Sequence, residues 1–170
     1  SKDKAALELA LDVFATVEEK CRDDVAYLEA FSKDWNIIPN DALSENGLMA
    51  DKTMNTTLHV MEAYTELYRV SGDKRVLKAL RFTLEITLDK IYDKNGGKLF
   101  VFFDKNLNEI GDIYSYGHDI EATWLIDRAC DVIGDEHLSK RCAEMNKVIV
   151  KNIADRALSN GRLNNCLLYT

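Results

Sequence analysis

Proline is almost missing from this chain. It occurs once in 170 residues, and glycine only eight times. So little of either leaves small room for flexible linkers, and no low-complexity tract is present. No apolar run approaches the ~20 residues that a membrane-spanning helix needs. No basic-flanked apolar stretch opens the chain, so no secretory signal is visible. The first residue is Ser1 and not a methionine, which leaves open what precedes it. Basic charge is short as well: the formal net charge is −7 and the pI about 5.0. Proteins that track phosphate backbones concentrate Lys and Arg, so neither nucleic acid nor a membrane is the expected partner. Cysteines at 21, 130, 142 and 166 form no C-x-x-C pair, and no histidine stands at zinc-finger spacing from them. No metal site is expected, and the thiols read as free in a reducing cytoplasm.

What is present is helical periodicity. "KAALELALDVFATVEEK" repeats apolar residues at Leu7, Leu11, Phe14 and Val17, which predicts an amphipathic helix over 3–20. A long connection follows to Asp51, with "AYLEAFS" as a short strand and "IPND" as a turn. A second helix is predicted over 52–71, closed by Gly72, and a third from the cap Asp73 to Tyr92. "DKNGGKLFVFFDKNLNEIGD" reads as a β-hairpin: Asn95-Gly96-Gly97 turns, Leu99 to Phe103 forms the strand, and "DKNLN" turns again. Ser115 caps a fourth helix that ends at Gly134. Asp135 starts a fifth, reaching Leu158. Long helices joined alternately by tight turns and strand-bearing loops predict stacked αα-hairpins.

Two helices carry unusual residues. At about 100° per residue, Asn55, His59, Glu62 and Glu66 share one stripe of the second helix, which is otherwise apolar. That stripe faces solvent or an internal cavity; Asn and His, in place of Lys, favour the cavity. On the fourth helix, Asp127 and Asp131 mark one face. His118 and Glu121 fall toward the other, with Leu125, Ala129 and Val132. A carboxylate there needs a reason, because burying it unpaired is costly. His118 lies in the first helical turn, where the helix dipole disfavours an imidazolium, and a neutral imidazole suits a general base near pH 7. A histidine satisfied within the core explains the same spacing. His137 reads as surface. Tyr64, Tyr68, Phe102, Phe103 and Trp124 could stack on a sugar, although the core is the default place for each.

Taken together, "EAFSKDW" (29–35), "KTMNTTLHVMEAYTELYRV" (52–70), "LFVFFDKN" (99–106) and "SYGHDIEATWLI" (115–126) make the chain resemble the N-acylglucosamine 2-epimerase family. The resemblance runs from Ala5 to Leu158, and the Tyr-Gly-His-Asp-Ile-Glu form resembles its cellobiose-type branch. It implies an all-α fold, part of an (α/α)6 barrel with short β-hairpin excursions, of which about five of twelve helices are here. It also implies cofactor-free inversion at C2 of a reducing-end sugar, a disaccharide in that branch, through an enediolate. By the same resemblance His118 is an acid/base histidine and His59 polarises the open-chain carbonyl. Glu121 binds and helps open the sugar, and Asn55 is a nearby sugar contact.

Some family features are not in these residues: a second acid/base histidine, the later tryptophan platforms and an upstream arginine. Thr57 stands where the cellobiose branch often has a histidine. The whole chain, 1–170, therefore reads as a partial epimerase domain. Its last ten residues, 161–170, which include "NNCLLYT", leave the family pattern and read as foreign, so Cys166 is given no role. An α-hairpin binding module without chemistry stays open as the rival reading, as do an N-acylglucosamine epimerase and an aldose–ketose isomerase.

Overall fold

The computed structural model describes residues 3–40, 48–111, 113–159, 162–163 and 166–168. Five α-helices dominate these: α1 (Lys4–Lys20), α2 (Met54–Ser71), α3 (Lys74–Ile86), α4 (Tyr116–Ile133) and α5 (Glu136–Arg156). Their ends follow side-chain chemistry. Asp3, Thr53, Asp73, Ser115 and Asp135 each accept a backbone N–H of the first turn, satisfying donors that the helix leaves unpaired. Gly72 and Gly134 close α2 and α4 at φ 64° and 69°, a region that other residues enter at a cost. In each case the next residue, an aspartate, caps the following helix. Two tight corners result, so α2 turns back into α3 and α4 into α5.

The short strands organise the other end. β1 (Lys52–Thr53) pairs with β4 (Phe102–Phe103), and β2 (Tyr92–Asp93) with β3 (Lys98–Leu99). β5 (Ile113–Ser115) pairs with β8 (Cys166–Leu168), and β6 (Leu158–Ser159) with β7 (Arg162–Leu163). All four pairs are antiparallel. The expected single strand over 99–103 is thus two short ones with different partners. Between them Phe100 N donates to Ile91 O, while Val101 O accepts from Met54 N. The segment crosses from one neighbour to the next, which a period-2 pattern does not reveal.

Other expectations change locally. "AYLEAFS" forms no extended strand, because its backbone is taken up elsewhere: Glu29 N donates to Asp51 O, and only the isolated bridges Arg22–Tyr27 and Phe31–Ile37 form nearby. The third helix widens to a π-turn over Thr87–Ile91. There Thr87 Oγ1 donates back to Thr83 O, a bond that loosens helical turns. The turns at 95–97 and 104–108 are as expected, the second built on Asp104 Oδ1 accepting from Asn106 N and Asn108 N. The turn read at 38–41 leaves the described residues after Asn40. Of the tail read as foreign, 161, 164–165 and 169–170 lie outside them.

The core lies between the helix layers. Met54, Leu58 and Met61 of α2 are buried with Leu80 and Leu84 of α3, Ala122 and Ile126 of α4, and Cys142 and Ile149 of α5. Each large apolar side chain so buried contributes about 1.5–3 kcal/mol. α1 buries little beyond Phe14. It is fastened by polar bonds: Glu18 accepts from the hydroxyls of Tyr27 and Tyr64 at 2.6 and 2.9 Å. Lys52 is fully buried, and its Nζ donates to Asp23 Oδ2 and to Lys105 O, each at 2.6 Å, drawing two loops onto the base of α2.

Candidate active site

The segment 99–103 gathers the starts of α2 and α4 at one end of the molecule. Met54 N, the first of α2, donates to Val101 O at 3.0 Å. Leu99 N donates to Asp119 Oδ1, in the first turns of α4, at 3.3 Å. Farther along, Arg128 Nη2 meets Glu66 Oε1 at 3.2 Å. Glu66 and Arg128 are each the thirteenth residue of their helix. The two helices therefore run parallel and in step. His59 and Glu121 are each the sixth residue, two turns back from that contact and about 10 Å along the axis. Asn55 and His118 lie in the first turns.

On α2 the polar stripe is confirmed. His59, Glu62 and Glu66 are exposed, and Asn55 is half-buried. His59 Nδ1 lies 3.2 Å from Glu62 Oε2, one turn on. Glu66 also takes Arg69 at 2.7 Å, and the bonds from Arg69 and then Arg128 hold its carboxyl below the usual range. The stripe looks out on an open face and not into an enclosed cavity, as far as the described residues form its surroundings.

On α4 the reading needs correction. Glu121 is exposed and does not share the buried side with Leu125 and Ala129. At about 100° per residue it lies about 20° from Arg128 and about 40° from Leu125, so rotation leaves it on the border and packing decides. The exposed stripe reads Glu121, Trp124, Arg128. His118 sits at its edge, half-buried; its Nδ1 is shut off from solvent and finds no hydrogen-bond partner among the described residues. Buried polar atoms are nearly always paired, so this nitrogen marks the place as unusual. His137 is exposed, as expected.

Two residues were not read correctly from sequence. Trp124 is 63% exposed on the same stripe, whereas Tyr64 and Phe103 are buried. Its spacing, three residues after Glu121 and six after His118, is the signal that could have placed it. Asp119 was not singled out. It turns away from the stripe and is fully buried, and burial pushes its carboxyl up to about 7 against the opposing bonds from Leu99 N–H and Tyr114.

A groove of about 640 Å³ runs between α1 and α2, lined by Leu9, Val13, Phe14, Val60 and Leu67, with His59 in its wall. Its lining is nearly all apolar, with His59 and Tyr64 as titratable groups among the described residues. Among the described residues, no group of three or more His, Cys, Asp or Glu is clustered to hold a metal. No helix among them is long and apolar enough to cross a membrane.

Comparison with known proteins places this arrangement. No protein-family profile matches the chain. It is 54% identical over 165 residues to a cellobiose 2-epimerase of Ruminococcus albus, covering 97% of this chain and 42% of the relative. A solved sugar epimerase from a ruminal bacterium superposes with a TM-score of 0.94 at 53% identity, over 97% of this chain and 42% of that one. The cellobiose 2-epimerase structure from Bacillus thermoamylovorans superposes at 0.88 with 36% identity, over 97% and 45%. The chain thus spans less than half the length of the relatives it matches. Its fold is part of an (α/α)6 barrel.

Proposed function

We infer that this chain, a homologue of the cellobiose 2-epimerases along nearly all of its length, supplies two inner helices of a carbohydrate 2-epimerase active site. One observation carries the reading. Parallel α2 and α4 bring a histidine, a carboxylate and an aromatic ring onto adjoining open stripes, in step with each other. A sugar site needs such a combination: polar groups for hydroxyls and a ring to stack on.

The proposed chemistry is inversion at C2 of a reducing-end sugar, cellobiose to its mannose epimer. Glu121 and Asn55 bind the sugar, and Glu121 assists ring opening. His118, as a neutral imidazole, takes the C2 proton, and the electron pair moves into the C1 carbonyl to give an enediolate. His59 donates toward that oxygen and stabilises its negative charge. A proton returned to the opposite face of C2 completes inversion, and this second acid lies outside these residues. Trp124 offers a stacking surface for the sugar. No cofactor enters these steps. The substrate is a small carbohydrate, a disaccharide, and the setting is cytoplasmic, which suits the free thiols Cys21, Cys130 and Cys142.

The test is product analysis with the full-length protein. Cellobiose is expected to give its 2-epimer, and the chain by itself is expected to be inactive. Absence of an epimer from cellobiose, mannobiose, mannose and N-acetylglucosamine alike would refute the reading. Formation of a ketose in its place would assign the site to aldose–ketose isomerisation.

A further inference from the structure

The two helix starts are held to residues 99–103 in different ways. α2 is tied by backbone: Met54 N donates to Val101 O, and Thr53 and Lys52 pair with Phe102 and Phe103. α4 reaches the same segment through one side chain, Asp119, whose Oδ1 accepts from Leu99 N. Asp119 directly follows His118 and has no exposed surface. Around it the contacts continue. The Tyr114 hydroxyl lies beside its carboxyl and accepts from Asn152 Nδ2 of α5 at 3.2 Å. The same amide nitrogen donates to the carbonyls of Gly96 and Gly97 at 3.2 and 3.0 Å, securing the turn that leads into the segment. An apolar residue would fill this helix position without desolvating a carboxyl group. The acceptor oxygen is what the aspartate adds.

We propose that Asp119 is a positioning residue: through Leu99 and the strut 99–103 it sets where His118 of α4 stands relative to Asn55 and His59 of α2. Its consequence for catalysis rests on the epimerase reading; the geometric link does not. The bond to Leu99 N–H needs an oxygen acceptor and not a charge, so asparagine can replace aspartate and leucine cannot. Small misplacements of reacting groups carry large rate losses.

The test uses the full-length protein as Asp119→Asn and Asp119→Leu, with Asp119→Ala in place of the leucine variant if that one does not fold. Amide hydrogen exchange reads the strut without substrate. In Asp119→Leu the Leu99 amide should exchange about tenfold faster or more, with faster exchange also at Met54; in Asp119→Asn neither amide should exchange faster than in wild type. In turnover, Asp119→Leu should lose about tenfold or more in kcat with KM within about threefold, and Asp119→Asn should restore it. Wild-type kcat in the folded leucine or alanine variant overturns the proposal. So does an asparagine variant as impaired as leucine, or loosening at Leu99 that leaves Met54 unchanged. If the wild-type protein shows no epimerisation, the functional reading fails while the exchange data still decide the positioning role.

Discussion

α2 and α4 are built to one plan, but their starts are fastened differently. Each has 18 residues, a hydroxyl cap and a left-handed glycine at its end. The fourth residue is Thr57 in α2, where Oγ1 donates back to Thr53 O within the helix, and Asp119 in α4, where the side chain reaches another element. α2 can use a threonine because backbone pairing already fixes its start. The strand before α4 pairs with β8 and not with the 99–103 segment, so α4 needs a side chain to reach it. Equivalent helices can thus differ in which residue carries the tertiary contact.

The comparison can be broken most strongly at the fifth position of each helix. Leu58 is 1% exposed, its counterpart Ile120 39%. Leu58→Ala should lower unfolding free energy by about 2–5 kcal/mol in urea titrations, whereas Ile120→Ala should cost about 1 kcal/mol or less. Equal losses would show that the two helices are packed alike after all.

The fourth position predicts a pH effect. Asp119 holds its proton more tightly folded, near pH 7, than at its ordinary value of 3.8. Its contribution is therefore full below about pH 4 and is lost as pH rises through 7. Asp119→Asn removes that loss. Relative to wild type it should gain up to about 4 kcal/mol between pH 4 and 8, at about 1.4 kcal/mol per pKa unit. A stability difference independent of pH would place the carboxyl in a solvated setting.

The caps should prove nearly equivalent. Thr53→Ala and Ser115→Ala should each cost about 1 kcal/mol, by the same titration. The Thr53 change should be the larger, since its hydroxyl also donates to Glu29 at 2.7 Å. The smallest effect is expected where the helices touch: a double-mutant cycle on Glu66 and Arg128, both about half exposed, should give a coupling of about 0.2–1 kcal/mol, shrinking in salt.

Most of this architecture is legible in the residues themselves. Gly72-Asp73 and Gly134-Asp135 state both tight corners, because each glycine ends one helix and each aspartate caps the next. The stripe of Asn55, His59 and Glu66 follows from rotation alone. Local pattern does not give what distant partners decide. Leu99 to Phe103 reads as one short apolar strand, yet its two ends pair with different elements. Glu121 lies between Arg128 and Leu125 in rotation, nearer Arg128, and packing against the neighbouring helices decides its exposure. Asp119 looks like one more acid in a charged chain until Leu99, twenty residues earlier, is seen to donate to it.

The central claim is that α2 and α4 form part of a site that moves a proton at C2 of a sugar. Solvent-deuterium incorporation tests it most directly. Full-length wild-type protein incubated with cellobiose in deuterated water should place deuterium at C2, and His118→Ala should slow this by about a hundredfold or more. Incorporation by His118→Ala at the wild-type rate, or epimer formed without any deuterium at C2, would contradict the account.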